Sequence, residues 1–262
     1  MTKIKDLQIM ADIIREDTLS ALTAAKSGHS GGPLGMAGYF PKTELLTLRK
    51  LGTRLQGHPH REALPGLETT SGPLGSGLSQ AIGMAYGLRL DKKKNLVWCI
   101  CSDGEHDEGN HWEAMLFAAK HRLDNLLVIL DRNYIQIDGN TEDVMPLDPL
   151  DKKYNAFHWN VKIINGNNMA EIVLALRSAK KNKGKPLMII ANTTPGKGVS
   201  YMENDYRWHG SPPGSITTER TPAKEKQTEI ALEQLHQKEA KERGNWYLKH
   251  KKLKPLHSLD KK

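Results

Sequence analysis

The spacing of apolar positions divides the chain into segments of two periods. Residues 3 to 26 place Ile4, Leu7, Ala11, Ile14, Thr18, Leu22 and Ala25 three or four apart, which predicts an amphipathic helix ending at the Gly28 loop. "PKTELLTLRKLG" predicts a short helix closed by Gly52, followed by the loop "QGHPHREALPGLETT". A Gly-Pro-Leu-Gly-Ser-Gly turn then opens a helix over 76–90. Beyond it the pattern changes. "NLVWCIC" (95–101), "NLLVIL" (125–130), "WNVKIING" (159–166) and "PLMIIANT" (186–193) are apolar runs of strand length, and helical patterns over 109–122 and 168–181 alternate with them. Short strands buried on both faces and separated by helices predict an α/β fold, a doubly wound parallel sheet flanked by helices with right-handed crossovers. Ligands of such sheets bind beyond the carboxyl ends of the strands, so candidate chemistry belongs there.

From Pro212 the composition shifts. "AKEKQTEIALEQLHQKEAKERG" predicts a charged helix with a thin stripe of Ile230, Leu232 and Leu235, and "KHKKLKPLHSLDKK" continues as a polar end. The expected division is a folded domain over 1–214 and a charged helical C-terminal tail over 215–262. Residues 219–262 hold twelve Lys or Arg against seven Asp or Glu, so most of the net charge of +8 is a property of the tail. No aromatic-basic platform or finger spacing accompanies it, and no nucleic-acid partner is expected. The longest apolar runs, such as "LLVIL" at 126–130, fall far short of the roughly 18 to 20 residues that span a bilayer, so no membrane partner is expected. The first residues carry acids and no small-residue cleavage site, which predicts a cytoplasmic protein. Cys99 and Cys101, the only cysteines, are two apart in a strand, share a face, and are expected to be reduced and buried.

The first strand ends in Ser102-Asp103-Gly104 and the second in Asp131-Arg132-Asn133-Tyr134-Ile135. With one helix between them the two strands should be neighbours, about 4.8 Å apart. Asp103, Asn133 and the Ile135 carbonyl then offer a hard-oxygen set suited to Mg²⁺ or Ca²⁺, an ion that usually completes its shell with phosphate oxygens and water. A structural reading stands beside this one: Asp103 as the cap of the helix near Gly109, and Asn133 as a turn residue. Gly72 to Gly77, opening a helix, lets backbone approach a ligand closely but lacks the lysine of a phosphate-cradling loop. His29, His58 and His209 lie in glycine- or proline-flanked loops, where an imidazole can bond a polyol or phosphate or simply face solvent. Their spacing fits no single-helix zinc motif.

Taken together, "SGHSGGPLGMA", "LRKLGTRLQGHPH", "TTSGPLGSGLSQAIGMAYGLRL", "SDGEHDEGNHWEAMLFAAKHRLDNLLVILDRNYIQIDG" and "ANTTPGKGVSYMENDYRWHG" resemble transketolase, in its N-terminal half as found where the enzyme is encoded as two subunits. The match runs in order from about residue 4 to residue 214. The resemblance implies that 1–214 is a thiamine diphosphate-binding pyrophosphate domain using Mg²⁺ or Ca²⁺. It implies that Asp103, Asn133 and the Ile135 carbonyl hold the metal on the cofactor diphosphate, that Gly104 lies beside the diphosphate, and that Gly72 and Leu74 sit near the rings. Glu108 matches the acidic residue at the family's subunit interface. His29, His58 and His209 would face cofactor and sugar, donating hydrogen bonds and moving protons during transfer of a two-carbon ketol unit between sugar phosphates, as in the pentose phosphate pathway. The cofactor supplies the electron sink.

The family's cofactor-activating glutamate lies on a following pyrimidine-binding domain, which 215–262 are too short to contain. A C-terminal partner subunit is implied, in a dimer of such pairs. Two departures matter. Ser102 replaces the first glycine of the usual Gly-Asp-Gly. After Ala37 the chain passes directly to Gly38-Tyr39-Phe40, omitting a few dozen residues that in the family supply a sheet strand and a further cofactor-facing histidine. That loss is expected to loosen the site and expose neighbouring core, and it leaves an alternative: a non-catalytic binding or assembly subunit with an incomplete cofactor site.

Overall fold

A computed structural model of the chain describes residues 4–27, 42–64 and 66–237. His29, the junction between Ala37 and Gly38, and the tail from 238 onward lie outside the described residues. In chain order the elements are α1 (Ile4–Ala25), a 3₁₀ turn (Lys42–Thr47), α2 (Ser76–Leu90), β1 (Val97–Ser102), a 3₁₀ turn (Gly104–Asp107), α3 (Gly109–Lys120), β2 (Leu126–Arg132), β3 (Ile135–Gln136), β4 (Gly139–Asn140), α4 (Thr141–Val144), α5 (Leu150–Ala156), β5 (Asn160–Asn165), α6 (Met169–Ala179), β6 (Leu187–Asn192), two further 3₁₀ turns (Tyr206–Trp208 and Lys224–Lys226) and α7 (Gln227–Gln237). They group into two compact units, residues 73–195 and residues 1–72 with 196–262.

The unit over 73–195 is a parallel sheet in the order β1-β2-β6-β5. Its core follows from the two-residue period of the strands. Leu126, Val128 and Leu130 of β2 and Met188 and Ile190 of β6 face one side, where Leu78, Ala81, Ile82 and Ala85 of α2, Ala114, Met115 and Ala118 of α3, and Leu150 and Tyr154 of α5 cover them. Leu127, Leu187 and Ile189 face the other side and meet Ala175 and Ala179 of α6. Chain direction across the sheet reverses between β1→β2 and β5→β6, and that reversal puts α3 and α6 on opposite faces. The doubly wound arrangement expected from the pattern is present, with each predicted strand and long helix within two residues of its expected ends. Cys99 and Cys101 are buried free thiols on the α2–α3 side.

Between β2 and β5 the sequence pattern marked nothing. The chain there forms the small antiparallel β3–β4 hairpin and two short helices, α4 and α5, too short for a periodic signal.

The other unit is helical. Ala21 and Leu22 of α1 pack with Leu45, Leu48, Leu55 and Leu64. The expected helix after Pro41 is one 3₁₀ turn instead: Arg49 takes a left-handed φ of 59° before Gly52 is reached, and Thr47 Oγ1 turns back to the Glu44 carbonyl at 2.7 Å. Of the predicted C-terminal helix, Gln227–Gln237 is present as α7, the stretch from 238 lying outside the described residues, and Ala231 and Leu235 are buried against Val199, Tyr201, Met202 and Trp208. The α7 helix therefore docks through Ala231, Leu235 and the partly buried Ile230, whereas Leu232 of the predicted stripe is not part of the packed cluster.

Candidate functional site

The candidate metal ligands come from the ends of β1 and β2. These strands pair in parallel register, Ser102 opposite Asp131, so their exit loops leave side by side. Asp103 is fully buried at the first exit. Its Oδ1 accepts the Gly104 N–H at 2.8 Å, and its Oδ2 accepts the Tyr134 N–H at 2.7 Å and the Arg132 guanidinium at 3.1 Å. One carboxylate thus stitches the two exit loops together. It also caps a helix, though not the one anticipated: the capped element is the 3₁₀ turn at Gly104–Asp107, whereas α3 starts from Glu108 with no side-chain cap. Burial raises the Asp103 carboxyl above the usual aspartate range, outweighing the Tyr134 N–H, the Arg132 charge and the Gly104 N–H that favour its ionised form.

Arg132 is the residue the motif reading passed over. It shares the β2 face of Val128 and Leu130, so it points inward, and it is only 1% exposed. A buried guanidinium requires acceptors. Besides Asp103 it binds Thr141 Oγ1 at 2.7 Å, Glu142 at 2.5 Å and Asp148 at 3.3 Å. Its direction follows from the two-residue period of β2 continuing through 132, and the partners on α4 and the loop beyond carried no sequence signal.

Asn133 is half-buried and closes a local turn: its Oδ1 accepts the Ile135 N–H at 3.1 Å and its Nδ2 donates to Asp131 at 3.1 Å. Ile135 is buried at the start of β3. Gly104 sits against Gln136, where a Cβ would come 3.3 Å from Gln136 Cβ, and the buried Gln136 Oε1 has no hydrogen-bond partner. The donor set fits a hard divalent cation. It offers a carboxylate, a carboxamide oxygen and the orphaned Gln136 Oε1 on the segments that leave β1 and β2, and three carboxylates surround the Arg132 cation, leaving negative charge in excess.

The glycine turn before α2 is built to be close. Gly75 has φ 74°, and a Cβ there would lie 1.9 Å from Asn110 Oδ1 and 2.9 Å from Glu108 Cβ, so only glycine permits this approach to the start of α3. Leu74 is exposed beside it. Gly72, with φ 128°, lies against the ring of His58, and a Cβ would be 3.3 Å from His58 Cγ. His209 is half-buried at the end of the Tyr206–Trp208 turn, its N–H donating to the Tyr206 carbonyl at 2.8 Å. Asp103, Gly104, Asn133 and Ile135 lie on the adjoining segments that leave β1 and β2, Glu108 belongs to the same unit, and Gly72 and His58 meet in the other.

Residues 37–227 match the family described as transketolase, thiamine diphosphate binding domain. The chain is 45% identical over 187 residues to the 6-deoxy-6-sulfo-D-fructose transketolase subunit SqwG of Clostridium sp. (strain MSTE9), covering 70% of this chain and 68% of that one. It is 40% identical over 212 residues to an apulose-4-phosphate transketolase subunit from Actinobacillus succinogenes, covering 79% and 73%. In three dimensions it aligns with the transketolase of Campylobacter jejuni at a TM-score of 0.72 and 26% identity, over 95% of this chain and 49% of that one. The chain thus spans about half the length of that solved structure.

Proposed function

Because the chain belongs to the transketolase thiamine diphosphate binding domain family, we propose that it is the diphosphate-holding N-terminal subunit of a split transketolase, which transfers a two-carbon ketol unit from a ketose phosphate to an aldose phosphate together with a C-terminal subunit. The observation that carries this reading is the buried Asp103 at the mouth of two adjacent parallel strands, hydrogen-bonded to the loop that carries Asn133 and Ile135.

In this reading Asp103, Asn133 and the Ile135 carbonyl hold Mg²⁺ or Ca²⁺ on the diphosphate, and Gly104 lets the backbone approach it. When bound, thiamine diphosphate supplies the electron sink for the transferred carbons. Gly72 and Leu74 border its rings, Glu108 serves the interface with the partner, and His29, His58 and His209 donate hydrogen bonds to substrate oxygens and move protons. The active assembly is a dimer of heterodimers in the cytoplasm, and 1–214 constitute the cofactor-binding domain. The chain mixed with a C-terminal transketolase subunit, thiamine diphosphate and Mg²⁺ should catalyse ketol transfer between sugar phosphates. A stable complex without turnover would contradict this.

One observation favours a second reading, a non-catalytic assembly subunit. No strand pairs with the outer edge of β1 among the described residues, and on that strand Ile100 is 76% and Trp98 38% exposed. This is the exposure expected where the segment omitted after Ala37 would supply a strand. Calorimetric uptake of the cofactor at micromolar concentration, with the partner present, would exclude this reading.

A further inference from the structure

Behind the turn that carries Asp103 lies a second polar group, largely buried. Cys101, Glu105 and His111 bring a sulfur, a carboxylate oxygen and a ring nitrogen within 4.8 Å of one another. β1 turns Cys101 inward, and the 3₁₀ turn folds Glu105 back over the strand end, where its Oε2 accepts the Ser102 N–H at 3.1 Å and hydroxyl at 3.2 Å. Its Oε1 is thereby left facing His111 Nδ1, 3.7 Å away. His111 is fully buried, and this nitrogen has no hydrogen-bond partner.

A chain of hydrogen bonds commits the other nitrogen of that ring. His106 Nδ1 lies 3.0 Å from the Ser102 carbonyl and 3.1 Å from the Asp103 carbonyl, both acceptors, so it carries the proton. His106 Nε2 is then an acceptor, and takes the Tyr154 hydroxyl proton at 2.7 Å. The Tyr154 oxygen, its proton so committed, accepts from His111 Nε2–H at 2.8 Å. His111 Nδ1 is thus the ring nitrogen left facing a carboxylate and a sulfur with no hydrogen-bond partner, a buried polar atom whose cost an electrophile held between the three groups would relieve.

We propose that Cys101, Glu105 and His111 form a buried zinc-type metal site, separate from the hard-cation site at Asp103 and Asn133 and independent of the ketol-transfer reading. Mixed S, N and O ligands suit Zn²⁺ and disfavour Mg²⁺. Zinc bonds of about 2.0 to 2.3 Å in a tetrahedron separate ligand atoms by roughly 3.3 to 3.8 Å; the Glu105–His111 separation of 3.7 Å lies in that range, and Cys101 Sγ is within 4.8 Å of both. One thiolate and one carboxylate balance the ion's charge while the imidazole stays neutral, and the Cys101 thiol releases its proton to solvent as the Zn–S bond forms. Tyr154 fixes the ring, and the Cys99 thiol, 3.7 Å from Cys101 Sγ, donates to the ligating sulfur. With three protein ligands, the fourth position falls to water or, after rotation about χ1, to Cys99. The ion would pin β1, the 3₁₀ turn and α3 to one another, holding the segment that carries Asp103, Gly104 and Glu108.

The test uses the untagged full chain, dialysed against excess Mg²⁺ after zinc or cobalt loading. One equivalent of zinc should remain, and the cobalt form should show a thiolate-to-cobalt charge-transfer band in the near ultraviolet with visible bands of tetrahedral cobalt. Cys99 and Cys101 are the only cysteines, so that band can arise nowhere else. Cys101→Ser and His111→Ala should abolish it, and Tyr154→Phe should weaken metal affinity about 10- to 100-fold. Wild-type chain, folded by circular dichroism, that retains no zinc, or binds cobalt without the thiolate band, would overturn the proposal. Should the variants not fold, the wild-type stoichiometry and cobalt spectrum decide alone.

Discussion

Arg132 and His106 are the side chains whose burial most constrains the region around Asp103. Arg132 neutralises a buried carboxylate at Asp103 and reaches Glu142 and Asp148. Arg132→Met keeps the volume but leaves Asp103 buried without its cation, and should destabilise the chain by about 3 kcal/mol or more in denaturant unfolding; a change below about 0.5 kcal/mol would show that solvent reaches Asp103. Burial, with the facing His111 ring second, pushes the His106 pKa down from 6.5 to about 3. The unfolded chain takes up that proton as pH falls through 6.5, while the folded chain does not until about 3. The stabilisation is therefore present above pH 6.5 and is lost between 6.5 and 3, at a rate on the order of 1 kcal/mol per pH unit. Imidazole nitrogen NMR should find His106 neutral and protonated on Nδ1 at about pH 5, between those two values; an imidazolium signal there would contradict both the burial and the hydrogen-bond chain.

At the level of elements, β1 and β2 lie in register yet differ in what covers them. Trp98 pairs with Leu127 and Ile100 with Ile129, all on the face that α6 covers only in part. Leu127 is fully buried, and Leu127→Ala should cost about 2 to 5 kcal/mol. Ile100→Thr, on the exposed edge strand, should stay within about 0.5 kcal/mol and improve solubility. Equal losses in thermal or denaturant unfolding would mean that the outer face of β1 is covered. Strands and long helices were legible in the sequence because their periods persist over many residues, and the parallel sheet followed from that alternation. The β3–β4 hairpin, α4 and α5 were not, since two to seven residues hold too few repeats to express a period. The candidate site divides in the same way. Asp103 and Asn133 could be located because strand ends are predictable, whereas the Arg132 partners and the Tyr154 bridge between His106 and His111 depend on tertiary contacts across 9 to 48 residues of chain.

At the scale of the whole molecule, the candidate residues are shared between two units: Asp103, Asn133 and Ile135 in the sheet unit, and His58, Gly72 and His209 in the helical one. No described helix is long and apolar enough to cross a membrane. In the proposed split transketolase a second subunit completes the cofactor site, so cofactor binding should depend on the partner as well as on the Asp103 crevice. The most direct test is calorimetric titration of thiamine diphosphate and Mg²⁺ into the chain paired with a C-terminal transketolase subunit. The predicted result is saturable uptake of one cofactor per pair, weakened about tenfold or more by Asp103→Asn. Uptake indifferent to that substitution, or none at all in a stable wild-type complex, would contradict the assignment of the diphosphate site to Asp103.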